Sequence, residues 1–171
     1  MTAGSSESNP LAGRGILLVA SGSPRTGMNA VRALALQLER IAGRVAILPG
    51  GNVIADLLGR RVLGRPDLVV ALLPGRGASL AAVRVAERLG APLLALVTSN
   101  DAPCWGETGT LRRATRVVVT SERLRARVVA AGVPATRIEL WRPLSPTALS
   151  SFEQIAGRAL RADSASSAMT A

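Results

Sequence analysis

The feature that most constrains this chain is a repeated alternation. Short apolar runs bounded by Gly or Pro keep giving way to segments with helical spacing. GILLVA (Gly15 to Ala20), Arg44 to Leu48, Leu68 to Leu73, Leu93 to Val97, Arg116 to Thr120 and Arg137 to Trp141 are the runs. Each is too short for a typical helix, and several are apolar at successive positions, as strands covered on both faces must be. Between them, Val31, Leu34, Leu38 and Ile41 recur at three- and four-residue steps, and Ser79 to Leu89 is helical by pattern through Leu80, Val83 and Leu89, each stretch closing near a glycine. Val53 to Leu63 reads as a weaker helix. Strand alternating with helix in this way predicts an α/β fold. We expect one Rossmann-like, doubly wound domain of about six parallel strands with helices on both faces.

Composition sets the limits of that domain. With 171 residues the chain is about one domain long, and its 48% apolar content with only three aromatics means a core of Ala, Val, Leu and Ile. No apolar run approaches the ~20 residues of a membrane helix. A disordered tail is expected over 1–13, the domain over 14–146, a C-terminal helix over 147–161 and a loose tail over 162–171. Met1 to Pro10 is Ser-rich, carries Glu7 and lacks an apolar signal core, so a cytoplasmic location is the default expectation. The single cysteine, Cys104, excludes an intrachain disulfide and a multi-cysteine metal site; no metal is expected.

The most informative stretch is Ala114 to Pro146. Three consecutive valines, Val117 to Val119, sit in a buried strand. Ser121 offers an N-cap oxygen and Glu122 complements the helix dipole. Leu124 and Val128 share one face, Gly132 supplies a left-handed stop, and Pro134 leads to the next strand. This arrangement resembles the end of the N-terminal domain in family 4 glycosyltransferases of the GT-B fold. There a strand ending in Ser, a helix, a Gly-Val-Pro turn and a further strand follow in this order. The matching residues are Ala114 to Glu122, Gly132-Val133-Pro134 and Arg137-Ile138. Thr115 departs from the family's usual Asp, and Trp141-Arg142-Pro143-Leu144 departs from its Asn-Gly hinge.

The resemblance implies one half of a GT-B fold, on the acceptor side, with no tightly bound cofactor. A nucleotide sugar would be the donor substrate, and a separate donor-binding half, on a possible partner chain, would complete the site. The acceptor would be a sugar or a lipid-linked molecule. In doubly wound sheets ligands gather outside the carboxyl ends of the strands, here the loops at residues 21–28, 73–78 and 98–110.

The first loop, Ser21-Gly22-Ser23-Pro24-Arg25-Thr26-Gly27-Met28-Asn29, admits several readings. A phosphate-binding P-loop fails, because Met28-Asn29 stands where Lys-Ser or Lys-Thr is needed and the chain has no lysine. The loop also resembles the GSPR start of NADPH-dependent FMN reductases, with Ser21, Ser23, Arg25 and Asn29 beside a helix N-terminus. In the glycosyltransferase reading Arg25, Thr26, Gly27 and Met28 contact substrate. In the loop Thr98 to Thr110, where that family often places a histidine, Asn100 becomes a substrate contact and Asp101 the one candidate acid or base. Asp101 serves equally well as a turn cap. Cys104 beside Trp105 has no histidine partner anywhere in the chain and makes a poor nucleophile.

All 21 basic residues are arginine, against 11 acids, for a net charge of +10. Codon bias accounts for the missing lysine as readily as function does. Arg112, Arg113, Arg116, Arg123, Arg125 and Arg127 read as a solvated helix face or as an anionic-membrane patch, peripheral at the inner membrane face. Nucleic acid is not expected as a partner, for want of interleaved aromatics and of a recognisable module. A non-catalytic binding or scaffold domain is the rival from another class.

Overall fold

The structure, a computed structural model, describes residues 9–21, 27–50, 65–73, 76–98, 105–143 and 145–168. Six strands form one sheet: β1 (Gly15–Ser21), β2 (Arg44–Gly50), β3 (Leu68–Leu73), β4 (Leu93–Val97), β5 (Arg116–Val119) and β6 (Ile138–Leu140). Their order is β2-β1-β3-β4-β5-β6 and every neighbouring pair is parallel. Five helices are described: α1 (Gly27–Glu39), α2 (Arg76–Leu89), α3 (Trp105–Arg113), α4 (Glu122–Ala130) and α5 (Ala148–Ala168). The expected Rossmann-like doubly wound domain is therefore what forms. The helix read over Val53 to Leu63 lies outside the described residues.

Two apolar layers explain why the strands read as continuous runs. Leu17, Val19, Val69, Ala71 and Ala95 point to one face, where Ala82 and Val83 of α2, Leu111 of α3 and Leu124 and Val128 of α4 cover them. Ile16, Leu18, Leu68, Val70, Leu94 and Leu96 point to the other, under Leu34 and Leu38 of α1 and Phe152 and Ile155 of α5. With both faces roofed, the middle positions of β1, β3 and β4 are apolar throughout, and the polar strand residues Arg44 and Arg116 stand at strand starts.

The stretch around β5, α4 and β6 folds as its sequence dictates. Ser121 accepts the Leu124 N–H, 3.3 Å away, and Leu124 and Val128 are the buried face of α4. Gly132 takes φ +86°, and the Gly132 and Val133 N–H groups reach back to the Val129 and Val128 carbonyls. Strand β6 then lies parallel beside β5, pairing Val117 with Ile138 and Val119 with Leu140. Where the hinge was expected, Trp141 is 4% exposed, donates its indole N–H to the Ala148 carbonyl at 2.8 Å and meets Phe152 edge-on at 5.4 Å. That residue seats α5 on the sheet. Helix α5 continues through Ala168, several residues beyond its last apolar anchor, Leu160.

One expectation needs correcting. Thr98 to Thr110 reads as a single polar loop, but Trp105–Arg113 is helix α3. Gly106 and Gly109 hide its periodicity; packing against α2 and the burial of Leu111 supply what propensity lacks.

Candidate functional site

All six strands run the same way, so all their carboxyl ends open on one edge. Helices α1, α2, α3 and α4 begin on that edge, each presenting free N–H groups and the positive end of its dipole. The strand order locates the crevice more narrowly. The chain leaves β1 for β2 on one side and returns to β3 on the other, so the connections diverge between the carboxyl ends of β1 and β3. Those ends are Ser21 and Leu73.

Of the catalytic and substrate-contact residues expected from sequence, two are among the described residues. Gly27 and Met28 are the first two residues of α1, immediately after β1 and its loop. Arg25, Thr26, Asn100 and Asp101 lie outside the described residues, as does Cys104. Thr98 fastens the end of β4 to the end of β3: its N–H and its hydroxyl both donate to the Leu73 carbonyl, each at 3.2 Å.

Sequence reasoning missed a polar cluster under the same edge. Ser79, in the first half of α2, and Thr110 of α3 share a 2.6 Å hydroxyl hydrogen bond between two helices that pack together. Glu107, in the first turn of α3, is only 2% exposed. A carboxylate so placed faces favourable helix-dipole potential and is the acid nearest in sequence to the Asn100-Asp101 segment among the described residues. Reading 98–110 as one loop concealed it. The usable signal is spacing: Glu107, Thr110 and Leu111 fall on one helical face.

The arginine group divides between the two ends of the sheet. Arg112, Arg113 and Arg116 stand at the amino edge, where β5 begins. Arg112 donates to the Ala131 carbonyl, Arg113 pairs with Glu87 at 3.3 Å, and Arg116 donates to the Thr136 carbonyl at 2.6 Å. Arg123 is in the first turn of α4, on the carboxyl side, and Arg125 lies 3.6 Å from Glu122. Arg127 is in the last turn, back toward the amino edge. A hollow of about 280 Å3, lined by Ala86, Glu87, Gly90, Leu93, Arg113 and Thr115, also opens at the amino edge.

Among the described residues one carboxylate has a clearly displaced acidity, and it too lies at the amino edge. Asp67, ahead of β3, accepts the Gly15 N–H at 2.8 Å and an Arg14 guanidinium N–H at 2.9 Å. Its partial burial acts to raise the carboxyl, but the Gly15 N–H, the Arg14 guanidinium and the Arg44 charge together more than offset this. The carboxyl is held below its ordinary value.

Among the described residues there is no group of three or more His, Cys, Asp and Glu that could hold a metal, and no helix long and apolar enough to cross a membrane. Fold and strand order define a Rossmann-like α/β domain with its topological switch point between β1 and β3. By sequence the chain matches no family model and no curated protein. In structure it is similar to UDP-GlcNAc 2-epimerase from Methanocaldococcus jannaschii, a protein of GT-B-like fold. That likeness has a TM-score of 0.51 at 13% identity, covering 74% of this chain and 45% of that one. The chain thus spans less than half the length of the epimerase. It is also similar to the sugar isomerase domain of an RpiR transcription factor from Sphaerobacter thermophilus, with a TM-score of 0.43 at 20% identity, covering 91% and 78% of the two chains.

Proposed function

We propose that this domain is the acceptor-side half of a GT-B-like sugar-nucleotide enzyme, and that its reaction is glycosyl transfer. The six-stranded parallel sheet, whose likeness to a UDP-GlcNAc 2-epimerase spans 74% of the chain, is the observation that carries the reading. The acceptor sugar, free or lipid-linked, occupies the crevice at the β1 and β3 ends, contacted by Arg25, Thr26, Gly27, Met28 and Asn100. Asp101 takes the proton of the attacking acceptor hydroxyl as the bond from the sugar's anomeric carbon to the nucleoside diphosphate breaks. A second domain, from the same or another polypeptide, holds the nucleotide.

The test is a titration of the isotope-labelled protein with nucleotide sugars and with free and phosphorylated sugars, followed by amide chemical shifts. Shifts confined to Ser21–Met28, Leu73–Ala78 and Thr98–Trp105 are expected. No shift with any of these ligands, or shifts confined to the amino edge, overturns the reading. With the partner domain added, release of nucleoside diphosphate with a glycosylated acceptor distinguishes transfer from epimerisation of the nucleotide sugar.

A second reading has one observation in its favour. The order β2-β1-β3-β4-β5 is that of flavodoxin-like domains, in which FMN sits at the β1/β3 switch point, where the Ser21 to Asn29 loop resembles the start of FMN reductases. Visible flavin absorbance in the purified protein, or saturable quenching of added FMN, favours that reading over the first.

A further inference from the structure

We infer that the amino edge of the sheet is a docking surface for the phosphate backbone of a nucleic acid, bound without regard to sequence. The observation is the placement of arginines along that edge. Arg44 is the first residue of β2 and Arg116 the first of β5; Arg14 immediately precedes β1, Arg137 immediately precedes β6, and Arg65 stands three residues before β3. In spatial order this gives Arg44, Arg14, Arg65, a gap at β4, Arg116 and Arg137. Six strands at about 4.8 Å spacing make the row about 24 Å long.

How these side chains are held decides whether their charge is spent. Arg14 shares Asp67, and Arg116 lies 3.9 Å from a Glu139 that is chelated by Arg158. Arg65 and Arg137 are different. They donate to neutral carbonyls, those of Gly90 and Arg112, and so does Arg112 beside them, to Ala131. All three are exposed, as is Arg44. A carbonyl fixes the guanidinium without cancelling its charge, so these cations are preorganised and still available. Arginine forks suit phosphate oxygens in particular.

The lack of aromatics, which speaks against reading or stacking bases, has no bearing on backbone contact. Binding to phosphates needs cations at chain-like spacing and nothing else. A lipid surface is the less suitable partner, because of the three large hydrophobics exposed among the described residues the two in helix turns that end at this edge, Leu36 of α1 and Val129 of α4, belong to helices on opposite faces of the sheet and form no shared apolar patch. This surface is at the opposite end of the strands from the crevice, so the inference is independent of the sugar reading.

The experiment is fluorescence anisotropy of a labelled 20-base-pair DNA duplex and a 20-nucleotide RNA with the full chain over a series of salt concentrations. Vesicles of phosphatidylglycerol and phosphatidylcholine are run in parallel. Each phosphate contact contributes about 0.9 to the slope of log affinity against log salt. Arg65→Gln with Arg137→Gln therefore lowers that slope by about 2, whereas Arg123→Gln with Arg142→Gln, at the carboxyl end, leaves it unchanged. Arg44→Gln, which touches no backbone hydrogen bond of the fold, lowers it by about 1 and serves should the double variant fail to fold. Absence of nucleic-acid binding at low salt, equal losses in both double variants, an unchanged slope in Arg44→Gln, or tighter association with anionic vesicles than with either nucleic acid overturns the inference.

Discussion

Asp67 shows how a single side chain fixes the start of the sheet. It accepts from Gly15 while its own N–H donates to the Gly15 carbonyl, so β1 and β3 are stitched together before their ladder begins. Because the folded-state acidity lies below the ordinary value of about 3.9, the unfolded chain binds the proton more readily. The stabilisation is therefore complete above that value and fades as pH falls through the lower, folded one. Asp67→Asn should cost about 1 kcal/mol at neutral pH, the carboxylate being partly open to screening water. Urea unfolding at pH 7 and pH 3 checks this, with the gap between variant and wild type narrowing at the lower pH. Gly132 is equally exacting. Its φ of +86° and the 3.0 Å that would separate an added Cβ from the Arg112 guanidinium mean that Gly132→Ala should lose at least about 1 kcal/mol. A downward shift in melting temperature would report it. Gly43 faces a different constraint, because a Cβ there would stand 2.7 Å from the Gly13 backbone, which cannot swing aside.

Among the elements, α5 depends most on distant partners. Phe152, fully buried, packs on Trp141, and Arg158 chelates Glu139 of β6 at 2.9 and 3.1 Å. Phe152→Ala should therefore cost about 3–5 kcal/mol, measurable by denaturant unfolding as a loss close to that of a whole core residue. The strands and α4 were legible because their signals are local: three valines in a row, a serine cap and a glycine stop lie within a dozen residues of one another. Helix α3 was not, since Gly106 and Gly109 weaken its propensity and its stability comes from α2. The roles of Trp141 and of the buried Ser79, Thr110 and Glu107 were also hidden. A hydroxyl pair 31 residues apart leaves no mark on either neighbourhood. That the strands share one carboxyl edge was foreseeable from parallel topology, but the switch point between β1 and β3 required the strand order.

For the molecule as a whole, the sheet predicts a gradient of protection. Among the described residues, strands β1, β3, β4 and β5 have a hydrogen-bonded strand on each side, whereas β2 and β6 pair on one side. Native-state hydrogen exchange should be slowest in Leu17–Val19, Val69–Ala71 and Leu94–Leu96 and faster in β2 and β6. Charge is also distributed by end: the helix C-termini and strand heads gather arginines at one pole, leaving the dipole-rich N-termini at the other for a ligand. The seating of α5 has a further consequence for biosynthesis. That helix is the last described element to leave the ribosome, yet it roofs Leu94 and Leu96 at the middle of the sheet. A nascent chain stalled before Ala148 should hold an oily, unroofed surface and recruit chaperones until translation resumes.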